Sequence, residues 1–561
     1  MSGAAPEARA DTSSGGQARS GDTLGQLRAW MTRERLLVAA ALVAIFAVSV
    51  FVRLGHLGEP MGIHHEEGTA RVLLHSTVWW EEGPSGAGFL LRKNLTSPGD
   101  AYLAPPGPLT DGDGNTYYAS MPPGHPLWMF LAHRVVGVEP TVMSVRYVNL
   151  AVNLLCAALV YLVVREILRG LPDGWSRTAG LVAAATYLFA PVTLWFQSNA
   201  WTSASAVQPF FIAAIWAVAR AYRDEERQRL FVVLTGALVF GMSYTEWLGP
   251  AFALATVVLA VIRRRSDALI RRIAVASAIG AVLALGLTFL QYSTISGAGE
   301  MARLWLGRYQ MRSGFGEASV ASPWNRASWI RLLGQYIDSL APAFAVLAIV
   351  FVWDRILAGV RGGKFRAGGA PVSVVMTLAL APVLIHHVVL FDHAVIHDFD
   401  MLKMTVFVSV ATGLLVGRLI ARYAAQERPQ HTMAVAVVCV LVVVSAYASV
   451  RLYDWLNPSY AAFERIGTAI ARTAEPDEVV FLVPFDYMPP SVVTHYAGRN
   501  WVPWPGEDRA PAVLGRGGAD RRGVVFGADL GRGVFEVWYV APDGSLHPTR
   551  EEAMAATGDV P

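Results

Sequence analysis

Long apolar runs alternate with short polar segments along the whole chain. About eleven of these runs are candidates to cross a bilayer by their length and apolarity. They lie at 36–53, 144–164, 178–194, 201–220, 230–246, 248–262, 272–293, 333–353, 371–391, 402–420 and 432–450. The adjoining runs at 230–246 and 248–262 are short, so they predict either two spans or one long tilted span. The pattern predicts a polytopic α-helical membrane protein.

Arginine-rich clusters precede the first span and follow the even-numbered spans. Membrane proteins keep such clusters in cytoplasmic loops, so the clusters predict the orientation of each span. They lie at 33–35, 165–177, 220–229, 263–272, 355–366 and 418–428. With eleven spans, the N-terminus is cytoplasmic and the C-terminus lies outside. The same regularity favours two spans within 230–262, because one span there would invert every later loop.

Three long polar segments are predicted to lie on the outer side. They are a first outer loop at 54–143, a second outer loop at 293–331 and a C-terminal segment at 451–561. Helical spacing at 460–473 and β-type runs at 478–483, 524–526 and 534–540 predict a small extracytoplasmic α/β domain in the C-terminal segment. The first outer loop predicts an amphipathic interfacial helix at 69–80 and a short helix at 127–136. Residues 1–32 predict a disordered cytoplasmic tail before a transmembrane domain at 33–450.

Composition supports a membrane protein and excludes other classes. Hydrophobic residues make up 54% of the 561 residues and charged residues only 16%, which is not the composition of a soluble enzyme. Cys156 and Cys439 lie inside apolar runs, so they predict neither a disulfide framework nor a thiolate zinc site. The net charge of +3 is small. We expect membrane lipids, and no nucleic acid, among the partners.

The first polar cluster lies about ten residues beyond the first span. It contains His64, His65, Glu66 and Glu67 in succession. Ionisable groups at a membrane face are typical of chemistry or ion traffic, and a carboxylate there is a candidate general base. Adjacent carboxylates repel, so one of them tends to need a cation or a proton. The alternative is a solvated pair of loop charges with incidental histidine neighbours.

A second polar cluster lies at the outer end of the ninth span. Its members are His386, His387, Asp392, His393, His397, Asp398, Asp400 and Lys403. His393 and His397 would share one face of a helix. With an aspartate they could ligate a divalent cation, and with Lys403 they could hold a phosphate. The alternative is an outer loop with scattered polar groups.

Arginines in the second outer loop form a third candidate. Arg303, Arg308, Arg312 and Arg326 stand on the side where the positive-inside rule disfavours them. A guanidinium suits bidentate contact with phosphate, although plain loop solvation explains these arginines equally well. Glu246, at the predicted tip between the fifth and sixth spans, is a weaker candidate.

Several motifs together resemble the membrane glycosyltransferases of the GT-C fold. They are the acidic pair Glu66-Glu67, the prolines Pro122-Pro123 before the second span, the run of short spans, and the stretch 489–499, similar to a Pro…Tyr-x-x-Arg element of bacterial members. Over most of its length the chain looks most like the dolichyl-phosphate-mannose–protein mannosyltransferases and the bacterial lipid A aminoarabinose transferases. It departs at Ser120-Met121, where the latter have a Glu-Lys pair.

The resemblance implies inverting transfer of a sugar from a polyprenyl-phosphate donor to a glycan, lipid or protein acceptor outside the membrane. Such a transfer needs a base and a means to stabilise the departing phosphate. We assign the base to Glu66, with Glu67, His64 and His65 orienting the acceptor or a cation. Substrate and phosphate contacts are assigned to Tyr118, His393, His397, Lys403, Arg308 and Arg312. A divalent cation, Mg²⁺ or Mn²⁺, would be held by Glu67, His397 and Asp398.

Two other classes of function compete with this interpretation. A multi-pass transporter typically has internal repeats and ionisable groups near the membrane midplane. Here no repeat is evident, and the ionisable clusters lie at the ends of spans. A non-catalytic protein of envelope assembly would carry the same spans, and only an activity measurement separates it from an enzyme.

Overall fold

The computed structural model describes residues 33–62, 64–95, 109–361, 372–424, 430–456, 461–483, 490–515, 521–529 and 533–556. The predicted tail at 1–32 lies outside the described residues. The helices that precede the C-terminal segment are α1 (Arg33–Leu57), α2 (Glu67–Glu82), α3 (Gly124–Val136), α4 (Val142–Ile167), α5 (Asp173–Phe189), α6 (Pro191–Phe196), α7 (Ser203–Ala221), α8 (Gln228–Thr245), α9 (Leu248–Ile262), α10 (Ala268–Ser296), α11 (Ala298–Ser313), α12 (Arg326–Arg361), α13 (Val372–Val389), α14 (Phe391–Ile396), α15 (Leu402–Ala424) and α16 (Gln430–Leu456). A 3₁₀ turn, Asp398–Met401, leads into α15.

Eight of the described helices are long and apolar enough to cross a membrane, namely α1, α4, α7, α10, α12, α13, α15 and α16. The predicted polytopic α-helical fold class is therefore confirmed. The shorter apolar helix α9 occupies the predicted sixth span, and α5 and α8, with 17 and 18 residues, occupy the third and fifth. The count of eleven spans stays a prediction.

The stretch 230–262 forms two helices, α8 and α9, that meet at Glu246. Gly249, in the first turn of α9, packs against Ser243 in the last turn of α8, where any side chain would collide with it. This close approach makes the reversal tight and turns Glu246 into the bundle, where only 1% of the residue is exposed.

The helices of the first outer loop form where the apolar spacing predicts them, but α2 packs differently from the prediction. Its residues Val72, Leu73, Val78 and Trp79 are buried within the protein, not presented to a membrane interface as expected. The reason is that α3 and the C-terminal segment cover this face of the helix. Helix α11, in the second outer loop, was not predicted, although its Met301, Leu304 and Trp305 have helical spacing and pack into one apolar cluster.

The C-terminal segment contains a five-stranded mixed sheet with helices packed against it. Its elements are α17 (Ala462–Thr473), β1 (Val479–Leu482), α18 (Pro490–Ala497), β2 (Val502–Pro503), α19 (Ala510–Leu514), β3 (Gly523–Asp529), β4 (Gly533–Val540), β5 (Leu546–His547) and α20 (Arg550–Ala556). The strand order is β2-β1-β3-β4-β5. β1 lies parallel to β2 and β3, and the other pairs are antiparallel.

The C-terminal sheet domain docks on the first outer loop through a shared apolar core. Met61 and Leu73 of the loop belong to the same buried cluster as Phe463 and Val493. The phenolic oxygen of Tyr496 accepts a hydrogen bond from the backbone N–H of Met61, at 2.7 Å. This docking places the first turn of α18 beside the acidic pair of the first outer loop.

Candidate active site

The chain turns back sharply between α1 and α2, and this turn carries the first polar cluster. His65 has a φ of 60°, in the left-handed region that non-glycine residues rarely adopt. At Gly68 an added Cβ would lie 3.1 Å from the backbone oxygen of Trp201. The absence of a side chain there lets α2 begin directly against the segment that precedes α7.

Glu66 is buried and anchors this turn to the membrane helices. One carboxylate oxygen accepts from Nη2 of Arg146 at 2.7 Å, and the other accepts from the N–H of Gly62. Arg146, buried in α4, also donates to the carbonyls of Leu57 and Glu59. Burial raises the pKa of Glu66, against the opposing effect of Arg146. Only 3% of Glu66 is exposed, so an acceptor hydroxyl could not reach its oxygens as it would have to reach those of a base.

The side chain of Glu67 is 16% exposed and lines a cavity of about 380 Å³. Its carboxylate accepts from Nε of Arg71, one helical turn later, at 3.1 Å. It also accepts from the backbone N–H of Ser491, which lies 3.1 Å and 3.3 Å from the two oxygens. A carboxylate that is held in place and reaches a cavity has the geometry of a general base.

The cavity beside Glu67, here called the polar cavity, is shared between the first outer loop and the C-terminal domain. From the loop it is lined by Glu67, Arg71, Leu74, His75, Lys93, Asn94, Thr116 and Tyr118. From the C-terminal domain it is lined by Pro490, Ser491, Thr494, Asn500, Trp501 and Pro503. Neither part of the chain forms this cavity alone.

Four cationic side chains gather around Tyr118, and we call Arg71, Lys93, Arg308 and Arg312 the cation cluster. Nη2 of Arg312 donates to the phenolic oxygen of Tyr118 at 3.0 Å, and Cζ of Arg71 lies 5.3 Å from the ring centroid. Burial alone would raise the pKa of Tyr118, but Arg312, Arg71 and Arg308 together lower it. Burial, and then repulsion from Arg71 and Arg308, lower the pKa of Lys93. Such a cluster suits a bound anion.

A second cavity, of about 350 Å³, lies on the other side of the cation cluster. This aromatic cavity is lined by Ala119, Ser120, Trp247, Trp305, Leu306, Arg308, Tyr309, Arg312 and Leu390. Its wall is mostly apolar, with Arg308 and Arg312 as its charged residues. Because Tyr118 lines the polar cavity and Arg312 lines the aromatic cavity, the hydrogen bond between them connects the walls of the two cavities.

The first and second polar clusters meet at Asp398. Nε2 of His64 lies 3.0 Å from one of its carboxylate oxygens, and Nε2 of His65 lies 3.1 Å from the other. The ring centroid of His397 lies 5.2 Å from that of His65 and 4.4 Å from that of His393. Burial lowers the pKa of His397 to about 3, so its ring is neutral at physiological pH. The structure thus brings together residues more than 300 positions apart in the sequence.

A chain of polar contacts runs from the cation cluster into the helix bundle. Arg312 donates to Nδ1 of His393 at 3.2 Å, and Nε2 of His393 lies 3.6 Å from Asp400. The ammonium of Lys403 lies 2.7 Å from Asp400 and 3.0 Å from Glu246. Lys403 has no exposed surface. It neutralises two buried carboxylates, so the geometry does not support its predicted contact with phosphate.

The predicted metal ligands do not form a cluster. Among the described residues, one group could bring three candidate metal ligands together. Its members are His386, His387 and Asp400, whose ligand atoms lie within 4.8 Å of one another. Lys403 already donates to Asp400, and its ammonium lies 3.3 Å from Nε2 of His386. A divalent cation would have to displace that ammonium, so this group does not fit a metal as it stands. The set expected from the sequence was a different one, Glu67, His397 and Asp398.

Sequence reasoning missed three groups of this site, Arg71, Lys93 and the backbone N–H of Ser491. Arg71 stands four residues after Glu67, a spacing that predicts an ion pair on a helix. Lys93 is one of only three lysines in the chain, which was a weak signal. The position of Ser491 depends on the docking of the C-terminal domain, and no local pattern could reveal it.

Comparisons with known proteins identify the fold. No family profile and no curated protein sequence matches the chain. The structure resembles ArnT from Cupriavidus metallidurans, solved bound to undecaprenyl phosphate, with a TM-score of 0.55 and 13% identity over 90% of this chain and 94% of ArnT. It also resembles the oligosaccharyltransferase of Archaeoglobus fulgidus in its apo form, with a TM-score of 0.51 and 13% identity over 87% of this chain and 69% of that one. The chain therefore has the GT-C membrane fold, as its sequence motifs predict.

Proposed function

We propose that this protein is a membrane glycosyltransferase that moves a sugar from a polyprenyl-phosphate donor to an acceptor hydroxyl on the outer side of the membrane. The observation that carries the proposal is the position of the cation cluster. It lies between a mostly apolar cavity and a polar cavity that contains a carboxylate. A donor with a lipid tail, a phosphate and a sugar has the same three parts in the same order.

The aromatic cavity suits the first isoprenoid units of the donor. Trp247 and Trp305 form part of its wall, and their indole N–H groups donate to the carbonyls of Ser120 and Ala119. With the N–H groups so engaged, these rings present apolar surface. The phosphate would then lie at the cation cluster, where guanidinium groups form charge-assisted hydrogen bonds with it. That ArnT was solved with undecaprenyl phosphate agrees with a ligand of this class.

The chemistry assigned to the polar cavity is an in-line displacement. The acceptor hydroxyl loses its proton to Glu67, and its oxygen forms a bond to the anomeric carbon. The bond from that carbon to the phosphate oxygen breaks, and the electron pair leaves with the phosphate. Arg71, Lys93 and Arg312 stabilise the negative charge that develops there. One base opposite the leaving group gives inversion.

The remaining predicted residues act around this centre. Asp398 holds His64 and His65, and with them the turn that precedes Glu67. His393 orients Arg312 from the side opposite Tyr118. A divalent cation stays a proposal from the sequence, and the oligosaccharyltransferase of Archaeoglobus fulgidus has been solved in complex with Zn and sulfate at a TM-score of 0.50. No step above needs a metal.

The test is transfer by the purified full-length protein in nanodiscs. Polyprenyl phosphates carrying single hexoses or pentoses are supplied together with extracts of envelope glycans, glycolipids and proteins as acceptors. We expect release of free polyprenyl phosphate that requires both Glu67 and an acceptor fraction. If, in sealed vesicles, a labelled donor crosses the membrane without any transfer of its sugar to an acceptor, the result would instead favour a transporter. If no donor in the panel is consumed or bound, the proposal fails.

A further inference from the structure

The polar cavity combines one aromatic side chain with several neutral polar side chains. Trp501 forms part of its wall, and its indole N–H lies 3.4 Å from the carbonyl of Pro490. Around the ring the cavity presents the neutral polar side chains of Ser491, Thr494 and Asn500. An aromatic face next to several small hydrogen-bonding groups combines an apolar contact with directional polar ones.

Asn500 offers a donor that the fold does not use. Its Oδ1 accepts from the backbone N–H of Leu95 at 3.0 Å, which fixes the orientation of the amide. Within the part of the chain that the structure describes, its Nδ2 is buried without a hydrogen-bond partner. Only 8% of the residue is exposed. A buried donor without a partner is costly, so a donor that borders a cavity is suited to a ligand oxygen.

His75 offers a matching acceptor in the same cavity. Its Nδ1 lies 2.6 Å from the carbonyl oxygen of Arg92, so Nδ1 carries a proton and donates. Burial lowers the pKa of His75 to about 3, so the ring is neutral and Nε2 accepts. The cavity therefore combines a fixed donor, a fixed acceptor and hydroxyls that can do either.

The fold makes an extended peptide a poor fit to this cavity. The strand nearest to it, β2, is the edge strand of the C-terminal sheet and has only two residues. One of these is Pro503, which lines the cavity and has no N–H to donate. A peptide acceptor that added a strand to this edge would find almost no backbone partners.

On these grounds we propose that the acceptor is a carbohydrate, and that the C-terminal domain recognises it by stacking a sugar ring on Trp501 and hydrogen bonding through Asn500. A hydroxyl of that sugar would then face Glu67 across the cavity. This inference rests on the proposed function for the reaction itself. It assigns to the C-terminal domain a role in acceptor specificity.

The experiment is saturation-transfer NMR on the full-length protein in nanodiscs, without donor. The probes are methyl glycosides of common hexoses and pentoses and their disaccharides, with Ser- and Thr-containing peptides for comparison. Trp501→Phe keeps an aromatic face and should retain sugar binding within about twofold. Trp501→Leu keeps an apolar side chain but loses the aromatic face, and should weaken sugar binding about tenfold. Asn500→Asp, which replaces the donor by an acceptor of the same shape, should weaken it several-fold.

The outcomes separate the two proposals. If no sugar binds, if Trp501→Leu binds sugars like the wild type, or if only peptides bind, the inference is overturned while glycosyl transfer can still stand. If sugars bind at Trp501 but the protein neither binds nor consumes any polyprenyl-phosphate sugar, the proposed reaction fails and the carbohydrate site stands. Thermal unfolding of each variant confirms that the fold is intact.

Discussion

The backbone N–H of Ser491 lies 3.1 Å from Oε2 of Glu67 and 3.3 Å from Oε1. Ser491 is the second residue of α18, so this N–H is one of the donors that a helix leaves unpaired in its first turn. The N-terminal end of a helix also favours a negative charge. The C-terminal domain thus orients a carboxylate that lies 424 residues earlier in the chain.

The contact with Ser491 is made by Glu67 and not by Glu66, and we assign the two glutamates different roles, Glu67 as the base and Glu66 as a structural residue. If Glu67 is the base, Glu67→Gln should lower turnover by about 10²–10⁴-fold, the usual contribution of a general base. Glu67→Asp keeps the carboxylate but draws it back from Ser491, so its loss should be smaller. Transfer rates of purified variants, measured at saturating donor, decide this. Near wild-type turnover by Glu67→Gln would exclude the assignment.

Glu66 should behave as a structural residue. Glu66→Gln leaves the guanidinium of Arg146 buried without a counter-charge, and breaking a buried ion pair typically costs about 3–5 kcal/mol. We expect poor expression and a lower unfolding temperature, with residual turnover in the protein that does fold. The double variant Glu66→Gln/Arg146→Met removes both charges and should recover much of the stability. A stable Glu66→Gln protein that has lost all turnover would return the base to Glu66, as the sequence predicted.

The sequence revealed the helices because the bilayer demands long apolar segments, whatever their partners in the bundle. It could not reveal which charges meet inside the bundle. Glu66 pairs with Arg146, which lies 80 residues later in the sequence, and Glu246 pairs with Lys403, which lies 157 residues later. These pairs depend on how the helices pack. The same limit explains why Lys403 was expected at a phosphate and lies instead between two buried carboxylates.

The amphipathic pattern of α2 shows a second limit. Its apolar face was expected at the membrane interface. An apolar stripe shows only that one face of a helix must be shielded from water, and it does not show whether lipid or protein covers that face. The structure covers this face with protein, including apolar residues of the C-terminal domain. Arg71 and Glu67 on the other side of the helix are thereby directed to the polar cavity.

The cation cluster gives a prediction about donor binding. Arg312→Ala removes the hydrogen bonds to Tyr118 and His393 and one of the proposed phosphate contacts. A hydrogen bond to a charged group is worth roughly 1.5–3 kcal/mol, so the KM for donor should rise about 10–100-fold while the KM for acceptor changes little. Arg303→Ala is the matched control, since Arg303 lies in the same helix but is mostly exposed and pairs with Glu300. A raised KM for acceptor alone would reverse the assignment of the two cavities.

The arginine pattern gives a prediction about topology. In a Cys439→Ser background, single cysteines replace the exposed residues Asp113, Glu551 or Glu226. On intact cells a membrane-impermeant thiol reagent should label the variants at 113 and 551, because the first outer loop and the C-terminal domain share the outer side. The variant at 226, in the arginine-rich loop after α7, should be labelled only after permeabilisation. Labelling of 113 without 551 would mean that an odd number of spans separates these two positions, and not the ten that the eleven-span prediction places between them.

The buried ring of His75 gives a prediction about stability against pH. Its pKa is about 3 in the folded protein against an ordinary value of 6.5, so between these values the unfolded chain binds the proton and the folded chain does not. The contribution of neutral His75 to the free energy of unfolding is therefore fully present above pH ~6.5. It falls as the pH drops toward 3, by about 1.4 kcal/mol for each pH unit within that window.

His75→Asn cannot be protonated in this range, and its amide can still donate to the carbonyl of Arg92. The fall in unfolding temperature between pH 7 and pH 5 should thus be smaller in this variant than in the wild type. Thr116→Ala, in the wall of the same cavity, removes a polar group without removing a titratable one and should keep the wild-type pH dependence. Scanning fluorimetry at several pH values measures both. If His75→Asn and the wild type lose stability in parallel as the pH falls, the imidazole is not held neutral, and its Nε2 is no longer a fixed acceptor for the carbohydrate proposed in the polar cavity.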